Sequence, residues 1–226
     1  MKPNLLLSDP AGNSESLVDN VYDTIKGAIL RNELTPGTAL SEATLAEQLG
    51  TSRTPIREAL KRLEEEDLIQ IVPRRGVFVT DISLEDIVTL YQLREALECY
   101  AIQFVPKYGD QSELDRLIAD FEQAPEWIEA GQIDKVNDVD TRLHRFIAQS
   151  TRNRLIIKLV DQLLGQVIRL RAMTPTVSGR LSQQSQEHLR IVHALKDGNV
   201  EESTEALRQH LQTVRDTHVQ IRLRMQ

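Results

Sequence analysis

Residues 40–60 read LSEATLAEQLGTSRTPIREAL, two short apolar-periodic runs hinged at a glycine. Ser41 stands where a helix N-cap belongs, ahead of Leu45, Ala46 and Leu49, and Gly50 closes that helix. Ser52 opens a second helix whose Ile56, Ala59, Leu60 and Leu63 share one face. Pro55 is compatible because it lies in the first turn, where an amide N–H has no intrahelical acceptor. Upstream, Leu17, Val18, Val21, Ile25, Ala28 and Ile29 recur at helical spacing until Leu34-Thr35-Pro36-Gly37 turns the chain. Downstream the period changes to two: Ile69 to Val72 and Val77 to Thr80 flank Pro73-Arg74-Arg75-Gly76, a β-hairpin with a basic tip. Three helices followed by a hairpin make a winged helix-turn-helix.

From Ser83 onward the pattern is helical throughout, which makes the fold mainly α, an N-terminal winged helix-turn-helix followed by an all-α helical bundle. Candidate helices run from Leu84 to Lys107, Ser112 to Ala130 with an interruption near Pro125, Ile133 to Ser150, Arg154 to Met173, Ser182 to Lys196 and Val200 to Arg224. Thr174 to Gly179 reads as a loop and Asp197-Gly198-Asn199 as a turn. The expected division is a flexible arm over 1–16, the winged domain over 17–82 and the helical domain over 83–226.

The balance of 27 Lys+Arg against 34 Asp+Glu leaves a net charge of -7, so a nucleic-acid site must be a local basic patch. A single cysteine, Cys99, excludes an internal disulfide framework. With no signal-peptide pattern and no apolar run long enough to span a bilayer, the expectation is a cytoplasmic protein with no membrane partner.

The basic patch lies at residues 51–62, where Arg53, Arg57, Lys61 and Arg62 face only Glu58 as a local anion. Arg53 and Arg57 are one helical turn apart, opposite the apolar face, so both can enter a major groove while the helix stays docked. Guanidinium forks pair with guanine edges or clamp phosphate, and Ser52, Thr54 and the first-turn amides suit a phosphate. Arg75 and Gly76 at the hairpin tip can reach the flanking backbone or minor groove. The plainer alternative is that these arginines are solvated charges balancing Glu64, Glu65, Glu66 and Asp67.

Residues 40–60, with Arg75-Gly76-Val-Phe-Val79, closely resemble the winged helix-turn-helix of the GntR family of transcription regulators. The resemblance implies that Arg53, Thr54 and Arg57 are recognition-helix contacts and that Arg75 and Gly76 are wing contacts. Some members carry an arginine early in the second helix, where this chain has Ala43.

Polar residues also fall where the C-terminal stripes demand core. Asp140 and His144 lie on the stripe of Val136, Val139, Leu143 and Ile147; His188 sits beside Leu189 and Val192; His210 lies between Leu207, Leu211 and Val214. Burying such groups is costly unless they satisfy one another. A divalent metal would do so, and a carboxylate with imidazoles suits zinc, nickel, iron or manganese. Alternatively, each histidine is a hydrogen-bonded core residue. Arg94 and Glu98 interrupt another inward stripe, either as an internal ion pair or as an arginine that grips a ligand carboxylate, and both roles can coexist.

The motifs Leu93-Arg94-Glu-Ala-Leu-Glu98, Asp140-Thr-Arg-Leu-His144, Glu187-His188-Leu-Arg-Ile-Val192 and Leu207-Arg-Gln-His-Leu211 resemble the effector-binding domain of the FadR branch, in its metal-containing FCD type. The resemblance implies that Asp140, His144, His188 and His210 converge on one divalent ion, zinc or nickel foremost, inside an antiparallel bundle. His193 and His218 match no ligand position and are expected at the surface or the margin.

The combined expectation is a homodimer on a palindromic double-stranded operator, with Arg94 and Glu98 as effector-binding residues for a small carboxylate. Effector binding would reposition the bundle helices, and the Asp81 to Ser83 connector would pass this to the winged domain. The competing class is a metal-dependent hydrolase or lyase on the same Asp/His cluster, which lacks an evident general base.

Overall fold

The computed structural model describes residues 14–174 and 178–224. Most of the expected arm, and residues 175–177 of the expected loop, lie outside them. The described residues divide into two compact units: residues up to Ile82 together with Val167–Met173, and the remainder from Ser83 onward.

In the first unit, helices α1 (Ser14–Leu30), α2 (Glu42–Gln48) and α3 (Arg53–Glu65) precede the hairpin β2 (Ile69–Val72) and β3 (Gly76–Val79). A two-residue strand, β1 (Ala39–Leu40), was not evident in the sequence because it is too short to show a period. It pairs antiparallel with β3, giving the order β1-β3-β2. Within the hairpin, Ile69 faces Val79 and Val72 faces Gly76. Arg74 and Gly76 both adopt positive φ at the turn. Val21, Ile25 and Ile29 of α1 pack with Ile56, Leu60 and Leu63 of α3 and with Leu68, Ile69 and Val79. Each such buried side chain is worth about 1.5–3 kcal/mol of transfer free energy, which is what docks a strongly polar α3. Ser41 accepts from the Thr44 amide as the N-cap of α2. Ser52 occupies the N-cap position of α3 with extended backbone but makes no side-chain cap bond.

The second unit is all helical. The expected helix from Leu84 to Lys107 is instead α4 (Leu84–Ala101), a 3-10 turn at Ile102–Phe104, and α5 (Val105–Tyr108). Pro106 explains the break: it has no N–H to donate, and in a helix interior its ring would clash with the Ile102 carbonyl, so it sits in a new first turn. The reverse holds for α6 (Gln111–Glu129), which continues through Pro125. Leu114, Leu117, Phe121 and Ala124 keep one buried stripe on it, and Pro125 itself is exposed, so packing holds the helix across the lost hydrogen bond. α7 (Ile133–Ser150), α8 (Arg154–Met173), α9 (Ser178–Lys196) and α10 (Val200–Arg224) complete the unit, although α8 ends among residues that belong to the first. α9 begins earlier than its apolar pattern foretold, at Ser178. The packed pairs are α6 with α7 and α9, α9 with α10, and α10 with α4. Among the described residues, no helix is long and apolar enough to cross a membrane.

Candidate functional site

On the first unit, Ser52, Arg53, Thr54 and Arg57 are all exposed along the start of α3, and Arg75 and Gly76 are exposed at the hairpin tip. The buried face beneath them consists of Pro55, Ile56, Ala59, Leu60 and Leu63, so the cations project without disturbing the core. Along residues 51–62, Arg57 has only Glu58 as a neighbouring anion. The fold corrects this, because Arg57 Nε donates to Glu42 Oε2 of α2 at 2.7 Å. Arg62 is likewise drawn back toward α1, donating to Asp19 at 2.6 Å with its guanidinium stacked over Tyr22.

In the second unit, Asp140 and His144 of α7, His188 of α9 and His210 of α10 are all buried, and one potential ligand atom from each lies within 4.8 Å of all the others. His188 Nε2 is 3.1 Å from His210 Nε2 and 3.3 Å from Asp140 Oδ1. The His144 and His210 rings stack, with centroids 5.5 Å apart.

The orientation of two of these rings follows from their outer neighbours. Arg94, itself 1 % exposed, donates through Nε to Glu98 Oε1 at 2.7 Å, while His144 Nδ1 lies 2.5 Å from Glu98 Oε2. Burial alone would raise the Glu98 carboxyl, but Arg94 and His144 overrule it and hold it at about 2. An ionised carboxylate can only accept, so His144 Nδ1 is the donor to Glu98 and Nε2 is the nitrogen left for another partner. That buried Nε2 has no hydrogen-bond partner. Glu187 acts in the same way on His210, whose Nδ1 lies 2.9 Å from Glu187 Oε2, while Arg180 grips the Glu187 carboxylate at 2.8 Å. Burial drives His210 down to about 4 despite this bond to Glu187, so its ring is neutral at pH 7.

Three imidazoles and a buried carboxylate thus share one small space. The orphaned His144 Nε2 and the close approach of His188 to His210 fit a divalent ion, for which this donor set is suited. The outer partners Glu98 and Glu187 supply the carboxylate–histidine arrangement that raises ligand basicity. Gln184 adds a third, donating to Asp140 Oδ1 at 2.7 Å. Glu187, Arg180 and Gln184 were missed in the sequence, although Glu187 immediately precedes His188 in the motif that was read there.

Arg94 and Glu98 form the internal ion pair, and Arg94 Nη2 is buried with no hydrogen-bond partner. His193 is exposed, but the expected marginal position of His218 is wrong. It is buried, with Nδ1 2.9 Å from the Tyr91 hydroxyl, because α10 packs on α4 along its length and carries His218 into that interface.

A winged helix-turn-helix with its cations outward, followed by a helical unit with a buried polar chamber, defines a DNA-binding transcription regulator with an effector-binding domain. The chain belongs to the gntR family of bacterial regulatory proteins, which matches residues 17–79, and the FCD domain matches residues 89–213. It is similar to the HTH-type transcriptional repressor RspR of Escherichia coli strain K12, 29% identical over 202 residues covering 89% of each chain. A crystal structure of a GntR regulator from Rhodococcus sp. RHA1 superposes with TM-score 0.76 at 26% identity, covering 90% of this chain and 98% of that one. The Zn2+-bound FCD domain of TM0439 shares the fold at TM-score 0.53 and 20% identity, covering 62% of this chain and 96% of that one. These relatives are regulators, and the hydrolase or lyase alternative finds no support among them.

Proposed function

We propose that this chain is a cytoplasmic, homodimeric repressor or activator that reads a palindromic operator and responds to a small carboxylate at a metal-containing pocket. The winged domain takes residues 17–82 and the effector domain 83–226. In the first, Ser52, Arg53, Thr54 and Arg57 contact one half-site, with Arg75 and Gly76 on the flanking backbone or groove. In the second, Asp140, His144, His188 and His210 hold a divalent metal, zinc or nickel, which when bound supplies a Lewis acid for a ligand oxygen. Arg94, oriented by Glu98, offers its unpartnered Nη2 to the ligand carboxylate.

The observation that carries this reading is the convergence of the four buried ligand atoms within 4.8 Å, beside an arginine whose guanidinium is not fully satisfied. Acetate-like anions should therefore bind the metal-loaded protein and lower or raise its operator affinity, since regulation requires different ligand affinities in the two DNA-binding states. Calorimetric titration of a panel of small carboxylates, with and without zinc and against Arg94→Ala, tests it. Equal binding by metal-free protein, metal-loaded protein and Arg94→Ala would refute the pocket.

A further inference from the structure

The two halves of α9 are held in different ways. Its C-terminal half buries Ile191, Val192, Ala194 and Leu195, a conventional apolar stripe. Between Gly179 and Arg190, by contrast, the buried side chains are Ser185 and His188, both polar, while Leu181 and Leu189 stay half-exposed. Apolar burial is the main force that docks a helix, and this half has little of it. Its polar contacts to the chamber include Glu187 to His210, Gln184 to Asp140, and His188 to Asp140 and His210, while Arg180 holds Glu187 from within the same helix. His188 adds a ring contact with Phe121, at 4.9 Å between centroids.

We infer that Glu187, oriented by Arg180, is a positioning residue that commits His210 Nε2 to the metal, and that through this arm the ion fastens the N-terminal half of α9 to the bundle. The inference rests on the metal reading above and adds a consequence to it. Glu187 accepts the His210 Nδ1 proton, so the ring cannot turn its other nitrogen toward the chamber. Asp140, His144 and His210 stand on α7 and α10, whereas His188, Glu187, Gln184 and Arg180 all stand on the first three turns of α9. An ion shared among these helices therefore ties α9 down at the end where apolar contact does not. Removing the ion takes away this tie between helices, and the polar contacts of His188 with Asp140 and His210 are of a kind that water can replace. This half of α9 thus belongs to the low-stability end of the fold, poised for local opening. It follows α8 in the chain, and the last residues of α8 belong to the first unit.

The test is hydrogen exchange on the full-length chain, loaded with one equivalent of zinc or stripped with chelator. Stripping should raise amide exchange at 180–190 by about tenfold or more, and leave 191–196 protected. Glu187→Ala should weaken zinc binding by about 10- to 100-fold, with partial rescue by Glu187→Gln, which keeps an acceptor oxygen. A residue serving only helix packing would shift neither the zinc affinity nor the rescue order. The inference is overturned if zinc binds at one equivalent yet exchange at 180–190 is unchanged by stripping or rises equally along all of α9. It is also overturned if Glu187→Ala binds zinc like the parent protein. If the parent retains no zinc, the metal reading itself fails, which the stoichiometry shows directly.

Discussion

Arg57 on α3 is tied through Nε to Glu42 Oε2 of α2, 2.7 Å away. The pair is exposed, so its net stabilisation is small. Its consequence is geometric, because with Nε committed the two terminal nitrogens remain to meet a guanine or a phosphate. Arg57→Ala should therefore weaken operator binding by about 1–3 kcal/mol and relax one operator position, with a smaller loss for Arg75→Ala. Gel-shift titration at fixed salt measures both. Unchanged affinity in the two variants would remove the assignment of α3 as the reading helix.

Operator affinity should fall steeply with added salt although the chain carries a net charge of -7, because the cations that meet DNA are local and displace condensed counterions. A plot of log affinity against log salt that stays flat would contradict a phosphate-contacting surface.

Metal removal should lower the thermal midpoint, since an ion bound only by the folded state stabilises it. His188→Ala and His210→Ala should lose the ion. His193→Ala, at an exposed position, should keep both ion and stability. His218→Ala should keep the ion but lower the midpoint, because it removes the buried hydrogen bond between His218 Nδ1 and the Tyr91 hydroxyl, at a cost of about 0.5–1.5 kcal/mol. Elemental analysis of untagged protein, paired with thermal melts, separates these classes. Loss of metal in the His193 variant as large as in His188→Ala would contradict the ligand set.

The metal-free protein should lose stability in acid in two stages. His210 titrates at about 4 in the fold against an ordinary 6.5, so between these values the unfolded chain takes up a proton that the folded chain refuses. Its contribution is intact above about pH 6.5 and is lost by about pH 4, with an upper bound on the order of 3 kcal/mol. Glu98, held at about 2 against 4.5, adds a second loss of the same sign as pH falls through that lower window. Urea midpoints in chelator at about pH 7.5 and about pH 5 check the first stage. Equal midpoints would show that His210 does not stay neutral in the fold.

Breaking the Arg94–Glu98 pair from one side should destabilise strongly, since the buried Glu98 carboxylate would lose its arginine and keep the His144 contact. Arg94→Met is expected to cost about 3–5 kcal/mol, and adding Glu98→Gln to it should recover part of the loss. Denaturant unfolding of the single and double variants measures the coupling, and additive losses would mean that the pair does not act as one unit.

Local chemistry determined much of this protein from the sequence alone. The cap at Ser41, the glycine at Gly50, the stripe of Ile56, Leu60 and Leu63, and the switch to period two at Ile69 each act within a few residues, so the winged unit was legible. The same periodicity placed Asp140, His144, His188 and His210 on inward faces, and resemblance proposed that they meet. Only the tertiary structure decided that they do meet, and which carboxylate sets which imidazole. Glu98 reaches His144 across 46 residues, Glu187 reaches His210 across 23, and Arg57 finds Glu42 across 15. Tertiary packing also buried His218 and carried α6 through Pro125. Periodicity fixes the face on which a side chain lies, whereas its partner is fixed by which helices pack together and in what register, a property of the whole core rather than of any window of sequence.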